Sequence, residues 1–235
     1  MARGEHLAAV AQCASCHTAE GGVPWAGGYA IETKFGTFYG PNLTSDVETG
    51  IGGWTAGEFE RAVRHGLAPD RRLWPAFPYP SYSGLTDEDV ADLWAYVLTI
   101  PPVRQEDLPH DLGWPIRGML GIWRALAYRP LSTPLDRGAY LATAVAHCGE
   151  CHTPRGALGG TREGKMFAGN DEPPVPAPAI DDLGWDRSEW ASFLEDGLTP
   201  DGEGTGGEMR RVIRDGTSKL TPADRDALAA WLADF

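Results

Sequence analysis

The chain has 235 residues, 42% of them hydrophobic, enough for one or two domains with cores of their own. A net charge of -13, from 33 acidic and 20 basic side chains, excludes a nucleic-acid binder, because phosphates demand a basic surface. No apolar run reaches the roughly 18 residues of a membrane-spanning helix, and the acidic surplus serves either solubility or the steering of a basic partner.

In chain order, Arg3 to Gln12 is predicted to form a helix with Leu7 and Val10 on one face. It runs into Cys13-Ala14-Ser15-Cys16-His17, and the pattern returns as Cys148-Gly149-Glu150-Cys151-His152. In C-x-x-C-H the two thiols can add across the two vinyl groups of one haem while the histidine meets its iron. The chain is therefore expected to hold two covalently bound haem c groups. Cys13 and Cys16 would hold one, with His17 on the iron, and Cys148 and Cys151 the other, with His152 on the iron. All four cysteines are consumed, so none remains for a disulfide. Zinc is the alternative reading, although a closed site takes four ligands and each motif offers three at most. A thioredoxin-like thiol pair is another, but neither motif sits in a βαβ pattern.

Gly21 to Gly53, rich in glycine and aromatics, is expected to be loop wrapped round a haem edge. Thr55 and Glu58 form a predicted capping box, with Gly66 as the C-terminal cap, and Asp186, Glu189 and Gly197 repeat this arrangement. Capping boxes are also predicted from Thr86 to Asp89 and from Thr221 to Asp224, the second with Pro222 at the first helical position. Arg137 to His147 repeats the first helix. Gly4 and Gly138 match, as do Tyr96 and Trp231, so the first and last helices of each half can cross at close range. Trp54 and Trp185 are read as pocket walls.

These elements predict an all-α fold of two tandem domains, 1–102 and 135–235, joined by a partly helical linker over 103–134. Prolines bound the linker, yet its run from Ile116 to Trp123 is too apolar for a free tether and is expected to pack across both halves rather than on a membrane or a partner. The run Pro173 to Pro178 is read as a stiff loop.

The strings RGEHLAAVAQCASCHT, FGTFYGPNLTSDVETGIGGWT, LWPAFPYPSYSGLTDEDV and AHCGECHTPRGALGG resemble the cytochrome c subunits that serve membrane-bound dehydrogenases for alcohols, aldehydes and sugar acids. Each half resembles a class I cytochrome c domain. The resemblance implies a carrier of single electrons from a periplasmic dehydrogenase or other donor to a further cytochrome or oxidase. Its partners would be redox proteins. Its location would be periplasmic, with a leader or anchor removed ahead of Arg3 and membrane contact confined to that anchor or the linker. Those subunits often carry three haems, whereas this chain has two motifs.

The resemblance also implies a sixth iron ligand from a late loop. Met209 takes that place in the second half, and Met166 is read as packing. In the first half Phe77 and Leu85 stand where relatives carry methionine, and no methionine lies between Met1 and Met119. His65 is read as a helix-capping imidazolium, Met119 as a core methionine, and His6, His110 and His147 as surface residues. The first iron is thus expected to be open or weakly ligated. The alternative function is a dihaem redox enzyme, peroxidase-like or thiosulfate-oxidising, working at that open iron.

Overall fold

The computed structural model of the chain describes residues 1–134, 136–162, 164–172 and 176–235. Leu135, where the second half is expected to begin, and Pro173, Pro174 and Val175 of the proline run lie outside the described residues. In the first half, α1 (Ala2–Val10) leads into the one-turn α2 (Cys13–Cys16). A hairpin of β1 (Ala30–Thr33) and β2 (Gly36–Tyr39) follows, then α3 (Ala56–His65), α4 (Tyr79–Tyr82) and α5 (Asp87–Val97). A connecting stretch carries β3 (Asp111–Leu112), a 3-10 turn at Ile116–Gly118 and α6 (Leu120–Ala127). The second half comprises α7 (Arg137–Tyr140), which loosens into a π-helical stretch at Leu141–Val145, and then α8 (Gly149–His152) and the strands β4 (Ala168–Asn170) and β5 (Ala177–Ala179). It ends with α9 (Arg187–Asp196), α10 (Gly207–Asp215), a 3-10 turn at Thr217–Lys219 and α11 (Pro222–Ala233).

The fold is largely helical, and the all-α expectation misses two small antiparallel sheets, one ordered β1-β2-β3 and one β4-β5. The first hairpin lies inside the stretch expected to be loop. Its short alternation in Ala30–Thr33 and Gly36–Tyr39 is turned by Gly36 and completed when β3 pairs Asp111 with Thr37. The stretch after Pro102 is bound to the first half along its length. The Asn42 amide donates to the carbonyls of Val103 and Gln105 at 2.8 and 3.1 Å, and Leu131 N–H donates to Ser83 Oγ at 2.7 Å. α6 presses Trp123 against Tyr79, with ring centroids 6.1 Å apart, and its last residue, Ala127, lies against Gly160 of the second half.

In each half the first helix lies across the last. A Cβ on Gly4 would come within 2.0 Å of the Asp92 carbonyl oxygen and 2.8 Å of Tyr96 Cβ; on Gly138 it would meet the Ala227 carbonyl and Trp231 Cβ, both at 2.4 Å. Only glycine permits that approach. Leu7, Val10, Val90, Leu93 and Val97 fill the first core, and Leu141, Val145, Leu228 and Leu232 the second.

The capping boxes at Thr55/Glu58 and Asp186/Glu189 are both complete, and Gly66 and Gly197 close those helices with φ of 62° and 78°. The other two are only half formed. Thr86 and Thr221 accept the N–H of Asp89 and Asp224 at 3.1 Å, but the acids do not return to the cap. Asp89 instead takes Arg3 and the Tyr140 hydroxyl, and Tyr140 receives the Thr86 N–H at 3.2 Å, so a tyrosine from the second half completes the first half's cap. Asp224 takes Arg137 at 2.7 and 2.8 Å and faces His6 of α1 at 3.7 Å. His6 and Tyr140 occupy matching helix positions, two residues after Gly4 and Gly138. The halves therefore touch reciprocally, as across a two-fold axis.

Two outcomes test this frame. Gly138→Ala drives a methyl into the α11 backbone and is expected to destabilise the protein by about 1–3 kcal/mol, read as a lower urea midpoint. The hydrogen bonds from Arg137 hold the Asp224 carboxyl below its ordinary range. That stabilisation is present above the unfolded carboxyl's value, about 3.9, and is lost as pH falls through the lower folded value. Asp224→Asn should flatten the stability loss below about pH 4 and cost about 1 kcal/mol or less at neutral pH.

Candidate functional site

Both C-x-x-C-H motifs begin in the same way. The residue just before the first cysteine, Gln12 or His147, sits in the left-handed region, with φ of 56° and 44°. Such residues cost energy, and they persist where the surrounding structure enforces them. The reversal ends the preceding helix and starts a single new turn, which puts the thiols three residues apart on one side and the histidine directly after them.

Each histidine is fixed from behind. His17 Nδ1 donates to the Pro41 carbonyl at 2.8 Å, and His152 Nδ1 donates to the Pro178 carbonyl at 2.8 Å. A carbonyl only accepts, so Nδ1 carries the hydrogen and Nε2 keeps its lone pair for a metal. Burial pushes both imidazoles down, against the upward pull of the proline carbonyls, which keeps them neutral as a ligand must be.

None of the four cysteines is in a disulfide. Burial, with the neighbouring thiol, pushes Cys13 and Cys148 up to about 12, and burial raises Cys16 and Cys151 as well. A thioredoxin-like pair needs a depressed thiol pKa, so the thiol–disulfide reading fails. Among the described residues no group of three or more His, Cys, Asp or Glu converges to hold a metal ion, so closed zinc sites fail too. What remains is a pair of cysteines beside a neutral, oriented imidazole. Partly buried hydrophobic residues pack against the core in both halves, among them Cys13, Trp25, Leu43, Trp54 and Phe77 in the first and Cys148, Leu183, Trp185, Met209 and Trp231 in the second. These residues fit a covalently attached haem: thiols to bond its edge, an imidazole for its iron, and aromatic walls for its flat face. A surface cleft of about 480 Å³ adjoins the first motif, lined by Gln12, Ser15, Trp25, Tyr96 and Arg211.

Of the other predicted residues, Met209 is half-buried on α10, and Met166, expected to pack in the pocket, is 45% exposed. Phe77 is half-buried with its ring 5.4 Å from Tyr82, and Leu85 is in the core at 2% exposed. Met119 begins α6 and is half-buried. His65 is exposed in the last turn of α3, with Nδ1 3.5 Å from the Tyr128 hydroxyl. The surface placement expected of His6, His110 and His147 does not hold, since all three are half-buried. His110 lies on Phe38 and accepts the Tyr39 N–H at 3.1 Å.

Sequence reasoning missed the two proline carbonyls, the two left-handed residues and the meeting of the motifs. Ser81 donates to Glu150, inside the second motif, at 2.7 Å, and Arg155 pairs with that carboxylate at 2.7 Å. Burial pushes the Glu150 carboxyl up, and Arg155 and Ser81 together pull it below its ordinary value. The prolines had a faint signal, standing at comparable distances after each histidine. The meeting of the motifs had none, because it is a matter of tertiary packing.

The Cytochrome c family model matches residues 1–101 and 135–235. A "Diheme cytochrome c-type" protein of Cereibacter sphaeroides is 41% identical over 249 residues, covering 98% of this chain and 84% of that protein. The "Gluconate 2-dehydrogenase cytochrome c subunit" of Pantoea cypripedii is 38% identical over 94% of this chain, and the "Fructose dehydrogenase cytochrome subunit" of Gluconobacter japonicus is 37% identical over 99%. The chain spans 52% of the length of each of those two proteins.

Arg155→Ala would leave the Glu150 carboxylate, only 16% exposed, with Ser81 as its side-chain hydrogen-bond donor among the described residues. The expected cost is about 1–3 kcal/mol in a denaturant titration, against about 1 kcal/mol or less for Arg214→Ala in its exposed pair with Asp215.

Proposed function

The chain belongs to the cytochrome c family, and on that premise we propose that it transfers single electrons between a periplasmic dehydrogenase, or another donor, and a downstream cytochrome or oxidase. It carries two covalently bound haem c groups. Cys13 and Cys16 hold the first and Cys148 and Cys151 the second, with His17 and His152 as their iron ligands. The observation that carries this assignment is the pair of proline-anchored imidazoles, each beside two cysteines at matching places in the two halves. The haem supplies a one-electron ferric/ferrous couple. The chain supplies orientation, burial and axial ligands.

Residues 1–102 and 135–235 are the two haem domains, and 103–134 is the connection between them. Its many bonds to the first half support reading it as a strap rather than a tether. Among the described residues no helix is long and apolar enough to cross a membrane. Membrane contact, in this reading, falls to an anchor outside the chain or to the connection. The donor belongs to the class of dehydrogenases whose cytochrome subunits this chain resembles.

Met209 is the sixth ligand of the second iron, a thioether that favours the ferrous state and raises the potential. The first iron lacks a methionine, since Phe77 and Leu85 are both apolar and packed. It is the lower-potential site. The rival reading, a redox enzyme using that first iron, gains support only from the same missing methionine. Rapid peroxide turnover by the oxidised protein would favour it.

The near-infrared charge-transfer band of methionine-ligated ferric haem counts these ligands. One equivalent per two haems is expected, and Met209→Leu should abolish it and lower one midpoint potential. Two equivalents, or a band that survives Met209→Leu, would overturn the assignment.

A further inference from the structure

The segments that carry the two motifs meet in one buried contact. Tyr82, 5% exposed, donates its hydroxyl to the Ala11 carbonyl at 3.1 Å, two residues ahead of Cys13. The same ring lies edge-on to His147, with centroids 5.4 Å apart and planes at 81°. His147 is the residue directly before Cys148. A single tyrosine therefore joins the entry of the first motif to the entry of the second.

The reciprocal position sharpens the point. By the repeat, Gln12 matches His147 and the turn at Gly216 matches the end of α4. There Gln12 lies against Gly216, where an added Cβ would be 3.0 Å from Gln12 Cγ, and no ring stands between them. Of two equivalent contacts, one has been built from aromatic rings and buried. A second link runs on the far side, where Arg211 of α10 donates to the Ser15 carbonyl at 3.2 Å. It rests on a half-exposed cleft rather than a buried core.

We propose that Tyr82 and His147 form the conduit through which the two haem sites exchange electrons. From Cys148 the route takes one residue step to His147, one ring contact to Tyr82, one hydrogen bond to Ala11 and the short backbone to Cys13. Electronic coupling falls steeply across gaps and more gently through bonded or closely packed atoms. A close-packed junction around a buried ring therefore couples better than an exposed seam. The step moves one electron, so one ferrous centre becomes ferric and one ferric centre becomes ferrous. No bond is made, no proton moves, and Tyr82 and His147 are neither oxidised nor reduced.

This proposal rests on the reading of two covalent haems, and the test separates the two. One electron per molecule is injected rapidly into the oxidised holoprotein, and transfer between the sites is followed optically. Both midpoint potentials and the haem count per chain are measured alongside. Tyr82→Phe, which loses only the hydroxyl bond, is expected to slow transfer severalfold, and Tyr82→Leu more, after correction for any change in driving force. His147→Gln, which copies the reciprocal contact, should slow it as well. Should Tyr82→Leu not accumulate with both haems, Tyr82→Phe and His147→Gln decide. Wild-type rates in those variants, with two haems present, overturn the conduit, as does a rate that responds to Arg211→Leu and not to Tyr82. Fewer than two covalent haems per wild-type chain would instead sink the parent reading.

Discussion

At Gly4 and Gly138 the first helix of each half rests on the backbone of the last, with no side chain between them. That contact sets the depth of α1 and α7; α1 hands on directly to a haem-binding motif, and α7 reaches the other through the π-helical stretch Leu141–Val145. Between Val10 and Cys13 there are two residues, one of them locked in the left-handed region. So short a connection cannot absorb a shift in the helix. Where the helices cross therefore decides where the thiols stand, and where the thiols stand decides whether His17 can meet the Pro41 carbonyl.

Charge reinforces the same crossing. The acids in the first turns of α5 and α11 would favour their helix dipoles in any setting. Here Asp89 and Asp92 also face Arg3, and Asp224 faces Arg137, so each last helix is clamped to its first by an ion pair beside the glycine. The arginine that holds Asp89 shares it with Tyr140 of the other half, and Arg137 shares Asp224 with His6. The bonds that shape each half are thus also the bonds that join the halves. In a chain of net charge -13, acids on the inner faces are tolerable because each has a cation or a hydroxyl of its own.

How much of this could be read from residues alone depends on how local each feature is. The motifs, the two complete capping boxes, the terminating glycines and the helix-crossing glycines each follow from a few neighbouring residues, and all were legible. The strands were not. β1 and β2 are four residues each and β3 is two, too short for an alternation pattern to stand out from a glycine-rich loop. Asp89 and Asp224 misled for a different reason. Their spacing from Thr86 and Thr221 suits a capping box, but a cation or hydroxyl from another helix offered a stronger partner, and no local pattern announces that. His147 looked like a surface residue because nothing nearby in sequence covers it; Tyr82 does, from the other half.

The frame is nearly symmetric and its contents are not, and under the proposed ligation that difference would give electron transfer a direction. Two copies of one helical scaffold meet through reciprocal contacts, which brings the two motif segments together whatever the side chains do. Onto the second copy is set the nine-residue α10 with Met209, while the first copy has in that region an irregular stretch through Trp74 and Phe77 and then only the four-residue α4. Under the proposed ligation, a thioether on one iron and none on the other would separate two otherwise similar couples, and about 59 mV of separation biases a one-electron equilibrium tenfold. A symmetric pair of sites would share an electron evenly and pass it on in either sense. Unequal ligation on an equal scaffold, as proposed, would turn the same short junction into a step with a preferred end, without any moving part.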